Sequence, residues 1–197
     1  MAVLGWPIKH SISPFLHNEA LDELRRSDSR FNGWSYERLE VPAEELPFLL
    51  PQLAQRGYRG INLTIPHKVE VLPHLLEIDP EAELMGAVNT LQWVEGGWKG
   101  YNTDGYGLQR ALETVFDIEL QTCSVLILGA GGAARAAAAR CLAKGCTQVC
   151  ITNRSTDRLA ALIADLRAHF PDSHLQGFPL DDLPTQDLNF SNLIVIN

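Results

Sequence analysis

Short apolar runs and longer segments of helical spacing take turns along this chain, the pattern of strands alternating with helices. In the first half, Met1 to Leu4, Trp34 to Val41 and Tyr58 to Leu63 read as strands. A helix is expected from Ser13 to about Ser27, with Phe15, Leu16, Ala20, Leu21 and Leu24 on its apolar face. Another runs from Pro42 to Arg56, opened by Glu44 and Glu45 and closed by Gly57. A helical segment from Val69 to Ile78 precedes Asp79-Pro80 and a short helix, Glu81 to Met85. Val88 to Val94 and Trp98 to Tyr101 then pair as a hairpin turned at Glu95-Gly96-Gly97.

Past residue 102 the pattern sharpens. A helix begins at Asn102-Thr103-Asp104-Gly105 and continues through Leu108 to about Phe116. Ser124 to Leu128 is an apolar run entering Gly129, as a strand buried on both faces would be, and an alanine-rich helix follows over Ala133 to Ala143. Gln148 to Thr152 is the next strand, Thr156 to Phe170 an amphipathic helix, and Leu175 to Phe178 a third strand. Leu180 to Leu188 is acidic and turn-rich, and Leu193 to Ile196 is an apolar, buried-type strand before Asn197. The expected fold is α/β, with an N-terminal α/β domain over residues 1–101 and a Rossmann-like dinucleotide-binding domain over residues 102–197. One mononucleotide half and one strand of a second are recognisable, so that domain is expected to be incomplete in this chain.

Composition narrows the partners. With 197 residues, 46% of them hydrophobic, the chain can bury a substantial core, and its net charge of −8 argues against a general nucleic-acid or anionic-membrane binder. No apolar run approaches the ~18 residues of a membrane span, which leads us to expect a cytoplasmic protein. Cys123, Cys141, Cys146 and Cys150 surround the glycine-rich unit without forming a C-x-x-C pair. Reduced, mostly buried thiols are expected rather than a disulfide or a metal site.

Candidate chemistry gathers at strand ends. Gly129-Ala130-Gly131-Gly132-Ala133-Ala134 fits G-x-G-x-x-G/A: Gly129 for the sharp turn, Gly131 for close approach to a pyrophosphate, Ala134 for helix packing. At the end of the following strand, an NAD-selective unit carries an acidic residue. This chain has Asn153-Arg154-Ser155, with Arg158 a turn later, which favours the 2′-phosphate of NADP. The alternative is that Arg154 and Arg158 are solvated residues opening a surface helix. Ser13 reads as a helix N-cap, whereas Ser11 stands in a loop with its hydroxyl free for a ligand. Asn62 and Thr64 share one side of a strand end, with Leu63 and Ile65 on the other, and Pro66 then sets Lys68 in the first turn of a helix. Asn89 is polar among apolar neighbours, and Asp104 is either a cap or a functional carboxylate.

Taken together, His10 to Pro14, Asn62 to Lys68, Gly86 to Thr90, Asn102 to Gly105, Gly129 to Ala134 and Asn153 to Ser155 resemble the shikimate dehydrogenases, in order and over residues 3 to 197. That resemblance implies a shikimate-binding N-terminal domain, an NADP-binding C-terminal domain, and reversible reduction of 3-dehydroshikimate to shikimate in aromatic amino-acid and chorismate biosynthesis. It implies that Ser11 and Ser13 hold the substrate carboxylate and that Asn62, Thr64, Asn89 and Asp104 hold its ring hydroxyls. Lys68 would be the catalytic lysine, and Gly129 to Ala133 with Asn153 to Arg158 would bind NADP (NADPH). A ketone reduction needs a proton for the developing alkoxide, and Lys68 with Asp104 is the expected coupled acid/base pair. Family members continue past Asn197, so the chain is expected to be a fragment or a truncated form. Exposed apolar strand edges such as Leu193 to Ile196 are expected to promote association or aggregation, and a homodimer is compatible with that. The alternatives are a quinate/shikimate dehydrogenase and a non-catalytic shikimate-binding sensor.

Overall fold

The computed structural model describes residues 1–182 and 192–197. The chain divides into two units: Met1–Glu83 with Val88–Tyr101, and Leu84–Ala87 with Asn102–Asn197.

Six strands make the mixed sheet of the first unit: β1 (Ala2–Gly5), β2 (Glu37–Glu40), β3 (Gly60–Leu63), β4 (Glu77–Ile78), β5 (Thr90–Val94) and β6 (Gly97–Tyr101), in the order β2-β1-β3-β5-β6-β4. β2, β1 and β3 run parallel, and the β5–β6 hairpin turns at Gly96 and joins β3 antiparallel. All of β1 is buried, as a central parallel strand requires. Four helices belong to this stretch of chain: α1 (Ser13–Ser27), α2 (Leu46–Gln55), α3 (His67–Glu70) and α4 (Pro80–Met85). In α2, Leu46, Leu50 and Leu53 recur at helical spacing and pack into one core with Leu4, Ile61, Leu91 and Trp98. The Trp98 indole N–H donates to the Leu50 carbonyl at 3.0 Å, which satisfies its polar atom inside that core.

Two expectations fail here. On α1 only Leu21 is buried, while Phe15 is 67% and Leu16 53% exposed. Periodicity groups these residues on one face but does not say what covers it. A polar strap holds the helix instead: the Asn18 amide donates to the Pro14 and Tyr36 carbonyls and accepts from the Tyr36 N–H. The helix expected over Val69 to Ile78 is a four-residue α3, a 3₁₀ turn at Leu72–His74, and the short strand β4. Pro73 cannot donate into a helix, and Leu76 N–H and Asp79 N–H bond instead to the Trp98 and Gly100 carbonyls of β6.

In the second unit, α5 (Asp104–Phe116), α6 (Gly132–Ala143) and α7 (Thr156–His169) accompany four parallel strands: β7 (Ser124–Leu128), β8 (Gln148–Asn153), β9 (Leu175–Pro179) and β10 (Leu193–Ile196). The order β10-β7-β8-β9 is that of a mononucleotide-binding half with one strand of its neighbour. Ala136 to Ala139 and Cys141 of α6 are buried against Val125, Ile127, Val149 and Ile151. After α6 the chain closes in a Schellman motif: Gly145 adopts φ +73°, Gly145 N–H bonds to the Leu142 carbonyl, and Cys146 N–H to that of Cys141. The four cysteines are free thiols, with Cys123, Cys141 and Cys150 buried and Cys146 half-buried. β10 is the apolar strand expected at Leu193 to Ile196, with the exposed edge expected of it. It lies on the edge of the sheet with Ile194 and Ile196 against the core and Leu193 and Val195 exposed. Of the acidic stretch expected at residues 180–188, the part from residue 183 lies outside the described residues.

Candidate functional site

At the C-terminal ends of β1 and β3, the loops after Gly5 and Leu63 frame a cavity of about 600 Å³. It is lined by Ser11, Ser13, Asn62, Thr64 and Asn89, together with Lys9, His10 and His17, which the sequence reading did not single out. Their clustering has physical causes in the local chain. Trp6 N–H bonds to the Ile65 carbonyl at 2.9 Å and ties the two loops together, next to cis peptide bonds at Trp6–Pro7 and Ile65–Pro66. Only glycine fits at position 5, where a Cβ would stand 2.5 Å from Thr64 Cγ2. The Arg38 guanidinium donates to the Lys9 and Ser11 carbonyls and fixes the serine loop from β2.

The serines exchange the roles expected of them. Ser13 is the first helical residue and its side chain caps nothing. Ser11 Oγ instead accepts the Ser13 N–H at 3.3 Å, so the loop serine orders the helix start while its own O–H proton stays available.

Two side chains missed by the sequence reading hold the asparagines. Tyr36 Oη donates to Asn62 Oδ1 at 2.7 Å, Asn62 Nδ2 donates to Thr90 Oγ1 at 3.0 Å, and Thr90 Oγ1 donates to Asn89 Oδ1 at 2.9 Å. Burial pushes the Tyr36 phenol well above its ordinary pKa, which keeps it a proton donor. The available signal was a tyrosine inside a strand run, whose hydroxyl needs a partner once its ring is buried.

Lys68, half-buried, is the second residue of α3, and its carbonyl accepts the Val88 N–H at 2.7 Å, just before Asn89. Beside it, His67 is fully buried and its Nε2 meets the Val41 carbonyl at 2.9 Å. Burial lowers the His67 pKa, opposed by that carbonyl and by Glu70.

In the second unit, Asp104 opens α5, and the side chain that closes the turn is Asn102, not Asp104 as a cap. Asn102 Oδ1 accepts the Asp104 N–H at 2.9 Å and its Nδ2 donates to the Ala87 carbonyl at 2.8 Å. The glycine turn leaves β7 with Gly129 at φ +128°, a conformation that favours glycine. Gly131 precedes α6, whose first-turn N–H groups, at Gly132, Ala133 and Ala134, have no side-chain cap. A Cβ at Gly129 or Gly131 would meet nothing, so the space over the turn next to Ala130 is open to a phosphate. Leu128 pairs with Thr152 across the parallel strands, which brings Asn153, Arg154, Ser155 and Arg158 to the same end of the sheet as this turn. Asn153 Nδ2 donates to the Ser155 carbonyl at 2.9 Å, and Ser155 caps α7 through the Arg158 N–H. Arg154 and Arg158 are exposed, and neither is in an ion pair among the described residues. Among those residues no group of three or more His, Cys, Asp or Glu side chains is arranged to hold a metal ion, and no helix is long and apolar enough to cross a membrane.

A mixed α/β unit with a polar cavity at its strand ends, joined in one chain to a parallel unit with a glycine turn, defines the class of two-unit α/β proteins of the dinucleotide-binding type. Residues 3–91 match the shikimate dehydrogenase substrate binding domain, and residues 110–195 match shikimate / quinate 5-dehydrogenase. The chain belongs to the shikimate dehydrogenase family. A shikimate dehydrogenase (NADP(+)) of Citrifermentans bemidjiense is 39% identical over 195 residues, covering 99% of this chain and 65% of that relative. The shikimate 5-dehydrogenase of Thermus thermophilus, solved in complex with NADP(H) and shikimate, is 37% identical with a TM-score of 0.80, and covers 100% of this chain and 67% of its own. That of Listeria monocytogenes, solved with shikimate and NAD, is 30% identical with a TM-score of 0.80, over 92% of this chain and 61% of its own. The chain thus spans somewhat under two thirds of the length of the first curated relative.

Proposed function

We propose that this chain carries the substrate and NADP sites of a shikimate dehydrogenase, which reduces 3-dehydroshikimate reversibly to shikimate in the cytoplasm. The observation that carries the reading is the single cavity that gathers Ser11, Ser13, Asn62, Thr64 and Asn89 from separate stretches of chain. Hydroxyls and amides suit a small polyhydroxylated acid: Ser11 and Ser13 for its carboxylate, the others and Asp104 for ring hydroxyls. The residues of the second unit fit a phosphorylated dinucleotide, with the uncapped N-terminus of α6 for the pyrophosphate and Arg154, Ser155 and Arg158 for a 2′-phosphate.

When bound, NADPH supplies the hydride. The chain's part is to orient the ring and to handle the proton. Lys68 Nζ stabilises the developing alkoxide and delivers the proton to the ketone oxygen in reduction, and takes it back in oxidation, with Asp104 as the coupled carboxylate. The test is NADPH oxidation with 3-dehydroshikimate in wild type and Lys68→Ala. Turnover in the wild type, with kcat lower by about 10³-fold or more and KM changed only severalfold in the variant, supports the reading. An equal fall in kcat and in substrate affinity makes Lys68 a binding residue. Turnover only in a version of the chain extended from its parent gene identifies a fragment, and no turnover in either form, with shikimate still bound, favours the sensor.

A further inference from the structure

Behind the cavity wall of the first unit, hydrogen bonds run in one direction, from Tyr36 through Asn62 and Thr90 to Asn89. Side chains alone would let such a chain run either way, because both amides can turn over and both hydroxyls can accept as well as donate. A backbone group removes that freedom. The Asn89 carbonyl, which already accepts the Leu63 N–H at 2.8 Å, lies 3.4 Å from Asn62 Nδ2. A carbonyl only accepts, so the end of the Asn62 amide turned toward it is the NH₂. The oxygen of Asn62 then faces Tyr36, which has to donate. Thr90 accepts from Asn62 and has one proton left, which goes to Asn89 Oδ1. Asn89, 8% exposed, is thereby held with its oxygen toward Thr90 and its NH₂ group turned elsewhere.

Tyr36 is built to hold that polarity. It is 4% exposed, its ring stacks on His17 at 4.0 Å, and Asn18 pins both its N–H and its carbonyl. We propose that Tyr36 and Thr90 are positioning residues that hold Asn89 as a hydrogen-bond donor, so that a ligand hydroxyl meets Asn89 through its oxygen, as the acceptor. This rests on reading the cavity as a shikimate site.

The test is calorimetric binding of shikimate, and separately of NADP, to the whole chain as wild type, Tyr36→Phe, Thr90→Val, the double variant and Thr90→Ser. Expected are about tenfold weaker shikimate binding in Tyr36→Phe and in Thr90→Val, near-normal binding in Thr90→Ser, and NADP affinity unchanged throughout. The double variant should lose well under the roughly hundredfold that independent effects would multiply to, because both changes cut one chain of bonds. Shikimate binding by Tyr36→Phe within twofold of wild type, fully multiplicative losses, or a parallel loss of NADP affinity overturns the inference and leaves the site reading standing. A wild type that binds no shikimate overturns both.

Discussion

Fully buried beside Lys68, the His67 imidazole uses Nε2 on the Val41 carbonyl, while its Nδ1 has no partner. A carbonyl takes a proton donor, so the neutral ring carries its proton on Nε2, and a second proton on Nδ1 would place a charge in the core. Burial lowers the folded-state pKa, so in acid the unfolded chain takes the proton first. The stability contributed by the neutral ring is therefore complete above the unfolded value of about 6.5 and declines as pH falls below it. The urea midpoint should drop more steeply between about pH 7.5 and 5.5 in wild type than in His67→Phe; parallel slopes would remove His67 as the cause. Single side chains were legible in the sequence where a local rule governs them. Alternation put Asn62 and Thr64 on one side of a strand end, and they do line one cavity. Tyr36 was not legible, because its partner Asn62 is reached only through the pairing of β2 and β3 with β1.

Elements show the same division. The strand–turn–helix of β7 and α6 was readable because its signals are contiguous: an apolar run, a glycine pattern, then alanines. The termination of α6 is equally local, with Gly145 in the left-handed region between the two Schellman bonds. Gly145→Ala should cost about 1 kcal/mol, read as a lower denaturation midpoint at unchanged m-value, and a neutral result would mean the motif can reopen without loss. α1 differs from its expectation for the opposite reason. It has a clear apolar pattern, and the pattern does not say which face meets another element. Asn18 settles the question for α1 by polar bonds to Tyr36.

For the molecule as a whole, alternating strands and helices were enough to indicate two α/β units, whereas the ownership of Leu84–Ala87 was not. That tetrapeptide precedes the last strands of the first unit yet belongs to the second, where Met85 is 1% exposed in the core with Ala136 to Ala139. Met85→Ala should lower stability by about 2–5 kcal/mol, the cost of a long side chain removed from a packed core. Because Met85 is a member of that core, the change should be read in probes of the second unit, and a loss confined to probes of the first would contradict its assignment. The ribbon from residue 84 to 87 also bears on anyone recombining such chains. A hybrid gene spliced at residue 102 would inherit the parallel sheet without the methionine that plugs it, so grafts of this half onto foreign partners should carry those four upstream residues along, or begin life with a hole.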